Sequence, residues 1–117
     1  MYAFEIPGIR FSMPAGGAVA RHRFVSVADN KAIAATGSNE VIGVSMNEVT
    51  AAELALNDRI VEIADGIVIV EASEDIPSGY PVASVADGKA KATVEHPCGI
   101  ALTSASAAGE LITVKLY

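Results

Sequence analysis

A chain of 117 residues fits one domain that buries about two thirds of its unfolded surface, so no disulfide or metal staple is required. Hydrophobic residues make up 51% but aromatic ones only 5%, with no Trp, which suits thin sheets of small and β-branched side chains better than a deep aromatic-lined pocket. The net charge of −6 with scattered basic residues speaks against nucleic acid as a partner. One cysteine rules out an intrachain disulfide, and no apolar run approaches the roughly 20 residues that span a bilayer.

Met1 to Met13 alternates Tyr2, Phe4 and Ile6, is interrupted by Pro7-Gly8, and continues with Ile9, Arg10 and Phe11. It reads either as an edge strand that closes the domain or as an arm for a partner. Pro14-Ala15-Gly16-Gly17 is a loop, so residues 1–20 form an arm and a Gly-rich connection ahead of a single β domain over 21–117. Ala18 to Ala28 reads as extended about Phe24, Asp29-Asn30 turns it back into Lys31 to Thr36, and Gly37-Ser38-Asn39 ends that strand. Val41 to Met46 is a strand in which Gly43 marks a bulge or a close backbone approach. Thr50-Ala51-Ala52-Glu53 has capping-box spacing, enough for a single helical turn or a plain loop.

Arg59 to Ala64, Asp65-Gly66 and Ile67 to Glu71 predict a further hairpin. Ile67-Val68-Ile69-Val70 is apolar on both faces and must be covered on both, by its own domain and by a neighbouring subunit. Either Ile67 and Ile69, or Val68 and Val70, are therefore expected to line a subunit interface. Ser73 to Tyr80, with Pro77 and Gly79, is a connecting loop.

The chain contains a diverged copy of itself. Val27-Ala28-Asp29-Asn30-Lys31-Ala32 returns as Val85-Ala86-Asp87-Gly88-Lys89-Ala90, and each is followed by a Gly-centred apolar segment, Val41-Ile42-Gly43-Val44 or Cys98-Gly99-Ile100-Ala101-Leu102. An alanine pair and an apolar strand complete each unit, the last strand being Leu111 to Leu116. The copies run over about 21–64 and 79–117. About nine short strands with turn signals between them predict an all-β protein, a small antiparallel barrel or sandwich built from two diverged repeats, with at most one short helix and an extended N-terminal arm.

No reaction class is supported, so the protein is not read as an enzyme, and no cofactor is implied. His22 and His96 are the only histidines; His96-Pro97-Cys98 has the wrong spacing for a zinc site, and His22, between two arginines, is expected on a solvated edge. Cys98 beside His96 lacks an orienting group and an oxyanion site, and its equivalence to Ile42 makes it a small core residue. Asp29, Asp65 and Asp87 serve turns, while Glu71, Glu74 and Asp75 read as a solvated face. Gly16-Gly17 precedes a strand, so no phosphate cradle is present.

Phe24 to Asp29, Val41 to Val44, Asp65 to Ala72, Ile76 to Val82 and Cys98 to Leu102 occur in an order that resembles the small capsid decoration, or cement, proteins of tailed bacteriophages. The resemblance runs from about Arg21 to the C-terminus. It departs at Gly79, which Tyr80 and Pro81 follow here instead of an acid. It implies a β-barrel or β-tulip protein, often a homotrimer, made in the host cytoplasm, that sits on the outer surface of the phage head and bridges major capsid protein subunits. Tyr2, Phe4, Ile6, Ile9 and Phe11 are the expected capsid contacts, being apolar and outside both copies. A carbohydrate or host-surface binding module is the alternative.

Overall fold

Asp29 and Asn30 both adopt left-handed backbone, with φ of 51° and 65°, and so close a two-residue turn whose twist matches the flanking strands. The turn joins β2 (Phe24–Ala28) to β3 (Lys31–Ala34), with Ala28 opposite Lys31, as the Asp-Asn pair predicts. The computed structural model describes residues 4–37, 40–56 and 59–117, so Tyr2 and the strand-ending Ser38-Asn39 lie outside the described residues. The extended stretch expected from Ala18 is shorter than read. A turn at Arg21-His22, with His22 at φ 62°, interrupts it before Phe24.

The remaining strands are β1 (Ile6–Pro14), β4 (Gly43–Ser45), β5 (Ile60–Glu71), β6 (Pro81–Ser84), β7 (Ala90–Ala92), β8 (Gly99–Ala101) and β9 (Leu111–Leu116). All pairings between them are antiparallel. They form one nine-stranded sheet in the order β3-β2-β4-β5-β9-β8-β6-β7, with β1 also on β5, curled into an open half-barrel. The one α-helical turn among the described residues, α1 (Ala51–Leu54), carries the complete capping box: the Glu53 N–H donates to Thr50 Oγ1 at 3.1 Å and the Thr50 N–H to Glu53 Oε1 at 3.2 Å.

Two predicted turns are corrected. Asp65-Gly66 is not a hairpin: β5 runs unbroken through it for 12 residues. A turn signal is overridden here because β5 has partners along its whole length, β4 and β1 beside its first half and β9 beside its second. Asp87-Gly88 does lie in a hairpin, between β6 and β7, but within a 3-10 turn over Ala86–Gly88 rather than a two-residue one. Gly88 is pressed onto β2, where a Cβ would come 2.5 Å from the Phe24 carbonyl oxygen.

β5 divides the core. Val61 and Ile63 face a cluster with Ala15, Val19, Val25, Ala32 and Val49, backed by Met13, Ile42 and Leu54. Ala64, Val68 and Val70, on the opposite face of the same strand, join a larger cluster that holds Phe24, Val44, Ile76, Val82, Ile112 and Val114. Alternation along one strand thus places residues of its two faces in different cores.

The same backbone bonds occur twice. Gly16 N–H to Ala32 carbonyl and Ser73 to Ala90 are both 2.8 Å, Ile42 to Val25 and Cys98 to Val82 are 2.9 and 2.8 Å, and Ser45 to Arg23 and Ala101 to Tyr80 are both 2.9 Å. Recurring bonds also lie outside 21–64 and 79–117, since Ala15 to Arg59 is matched by Ala72 to Glu110. In this correspondence the second half of β5 holds the place of β1.

Candidate functional site

An apolar stripe starts in the core on β1 and runs out to the surface. Met13 packs on the inner cluster, Phe11 is 37% exposed, and Ile9, Ile6 and Phe4 are 60%, 63% and 45% exposed. Strict alternation would put Ile6 and Ile9 on opposite faces. A register shift between Pro7 and Ile9 sets Ile6 opposite Ile67 and Ile9 opposite Asp65, which brings both onto one face. Gly66, at φ 117°, permits the crossing, because a Cβ there would come 2.7 Å from the Gly8 nitrogen. Of the two readings of this stretch the structure has the edge strand, paired with β5 at eight positions, with Ile6 and Ile9 pointing outward.

Ile67 and Ile69 share that face and are half-buried, whereas Val68 and Val70 are 0% exposed inside the chain's own core. Ile69 is opposite Thr113, whose hydroxyl donates to the Phe4 carbonyl at 2.8 Å, so the N-terminal segment itself lies beside the Ile67–Ile69 pair.

Arg23 ties the two halves together. Its guanidinium bonds Glu71 Oε1 at 3.0 Å and Asp87 Oδ2 at 2.6 Å, and Lys89 Nζ lies 3.4 Å from Glu71 Oε2. Glu71 is thus corrected from a solvated face to a paired group whose side chain is only 22% exposed. Charge type alone carries no signal for this, because the partners come from distant parts of the chain. Desolvation pushes the Glu71 carboxyl up, but the hydrogen bonds and charges of Arg23 and Lys89 outweigh it and hold it below its ordinary 4.5.

His22 is also corrected: it is half-buried, and among the described residues its Nδ1 has no hydrogen-bond partner. Burial, then the Arg21 charge, lowers its imidazole below 6.5 against the opposing effects of Glu5, the Ile69 backbone and Glu71. Both groups bind protons more readily in the unfolded chain. Stability should therefore fall as pH drops below about 6.5 through His22, and again below about 4.5 through Glu71. Urea titrations across pH check this; His22→Gln should flatten the upper step and Glu71→Gln the lower. Arg23→Met should cost about 2 kcal/mol at pH 7 by leaving Glu71 short of a partner.

His96 and Cys98 line one open groove of about 760 Å³ with Ser84, Lys91, Thr93 and Glu95. Cys98 packs on the core, and burial pushes its thiol up to about 11, so it is protonated and a poor nucleophile at neutral pH. Among the described residues no group of three or more His, Cys, Asp or Glu could hold a metal ion. No helix among them is long and apolar enough to cross a membrane.

What distinguishes this molecule is therefore an outward apolar surface on a paired strand. A family model described as phage cement protein matches residues 5–116. The chain belongs to the phage cement protein family. It is a structural, virion-associated protein of the phage head, and its family binds the capsid. Its fold is similar to the N base of the head fiber gp8.5 of bacteriophage phi29, with 19% identity, a TM-score of 0.74 and 93% of each chain covered. No curated protein sequence matches it. The family resemblance read from the strand and glycine order thus holds, and it extends through β1 as well.

Proposed function

We propose that this cement protein binds the outside of the head and stabilises it by bridging major capsid protein subunits, through the stripe of Phe4, Ile6 and Ile9 with Ile67 alongside. The observation that carries this reading is the exposure of large aliphatic side chains on a paired strand: Ile6 and Ile9 each leave more than half their surface to solvent. Contiguous apolar patches of this kind mark interaction sites. Burial under a capsid subunit would contribute about 25 cal/mol per Å² before association costs. Repetition over a shell multiplies a modest contact. We further propose that the protein acts as a homotrimer, each chain presenting one stripe, so that one trimer reaches several capsid subunits.

The test uses heads assembled without the protein. The double variant Ile6→Asp/Ile9→Asp should keep the wild-type melting temperature within a few degrees and lose attachment, read as copies per particle by quantitative mass spectrometry. Wild-type protein should bind at a copy number comparable with that of the major shell protein. Binding of the double variant at wild-type stoichiometry would remove the stripe from the capsid contact, and wild-type occupancy of only a few copies would exclude a cement role.

A further inference from the structure

The junction between the two halves of the chain has two sides, and each side recurs once on the molecule as open surface. On the first side, Phe24, Val44 and Ala64 are paired in a row across β2, β4 and β5 and are at most 1% exposed, because they seal the larger core. The row with the same pairing in the C-terminal half is Pro81, Ile100 and Lys115. It lies at the surface, with Lys115 exposed and the other two half-buried. Leu102, on the same face as Ile100, is 38% exposed, while its counterpart Met46 packs on the core. Tyr117, beyond Lys115, is 71% exposed.

The receiving side follows the same rule. Val68 and Val70, opposite Val114 and Ile112, are 0% exposed; Phe11 and Met13, in the same places opposite Ile63 and Val61, are 37% exposed and half-buried. At the rim the Ser84 hydroxyl donates across the junction to the Thr36 carbonyl at 2.6 Å. Their counterparts in the other halves are Val27 and Val94, 44% and 70% exposed. A polar contact inside the chain is thus matched by two valines left in solvent.

We propose that a second copy of this chain docks head to tail on the first, its Pro81–Ile100–Lys115 face covering the open side of the N-terminal half and its Val94 meeting Val27. The occupant is indicated by the chain's own junction, which already packs the equivalent surfaces against each other. Such a contact is heterologous, and it forms a closed ring when the rotation between copies closes. It rests on the self-assembly reading above but not on capsid binding, and it is separate from the Ile6–Ile9 pair; Phe11 and Met13 belong to both surfaces.

The contact between chains lacks two polar links of its template, while Lys115 stands in the place of Ala64. The Glu71 N–H donates to the His22 carbonyl across the internal junction at 2.9 Å, but Pro14 stands in the place of Glu71 and has no N–H. Tyr80 stands in the place of Arg23, so the ion pairs have no equivalent either. Association should depend on concentration.

Sedimentation velocity on the full chain tests this. Wild type should gain mass with concentration, and Val27→Asp and Val94→Asp, each with an unchanged melting temperature, should both stay monomeric. An equimolar mixture of the two variants should form dimers and nothing larger, because each retains one intact face. A wild-type chain monomeric at every concentration, either variant associating like wild type, or a mixture that stays monomeric would overturn the proposal.

Discussion

Gly43→Val should abolish folding, with a loss of at least about 4 kcal/mol, much of what a domain of this size possesses. A Cβ at Gly43 would come 2.5 Å from Ile63 Cγ2 and 2.6 Å from the Ala64 carbonyl oxygen, and neither can retreat because both belong to β5 at the centre of the sheet. Gly99→Val should behave alike, since its Cβ would come 2.6 Å from the Lys115 carbonyl oxygen and 2.8 Å from Val114 Cγ1. Gly17→Ala is the control: no heavy atom lies within 4 Å of its Cβ, so its stability should stay within about 1 kcal/mol of wild type. Urea unfolding followed by far-UV circular dichroism reads all three. A cooperative wild-type transition in Gly43→Val would show that β4 and β5 do not approach as closely as described.

Removing residues 1–13 should cost the fold as well as any attachment. β1 covers one side of β5, and its loss would open the cluster that holds Val61 and Ile63, both 0% exposed. Exposing two such side chains costs about 3–6 kcal/mol before the lost strand pairing is added. The truncated chain should therefore lose its cooperative melt, and attachment is better probed by outward substitutions at Ile6 and Ile9. A truncated protein that melts like wild type would return β1 to the status of a dispensable arm.

Much of this fold was legible in local chemistry. Asp29-Asn30 specifies its turn because both residues tolerate positive φ, Thr50 and Glu53 specify α1 by reciprocal capping, and Gly43 and Gly99 announce close approaches that only the missing Cβ allows. Those are interactions over a few residues, or steric demands of a single position. The family resemblance rests on the order of the same glycines and strands.

Asp65-Gly66 carries the same local signal as a hairpin turn, yet it lies inside one long strand. Partners on both edges of β5 outweigh the local preference, and those partners come from residues far away in the chain. The candidate site divides in the same way. That Phe4, Ile6, Ile9 and Phe11 are apolar and need cover was readable. The shift between Pro7 and Ile9 that aligns Ile6 with Ile9, and the choice of Val68 and Val70 for the inside with Ile67 and Ile69 facing out, follow from strand register. What the chain order alone made readable is most of the strands, the Asp29-Asn30 turn and the α1 cap, because these depend on residues a few positions apart, and the position of Gly43, because only a missing side chain fits there. The unbroken path of β5 through Asp65-Gly66, the Arg23–Glu71–Asp87 linkage and the face each apolar residue presents came from the folded molecule, because they depend on pairing between segments far apart in the chain.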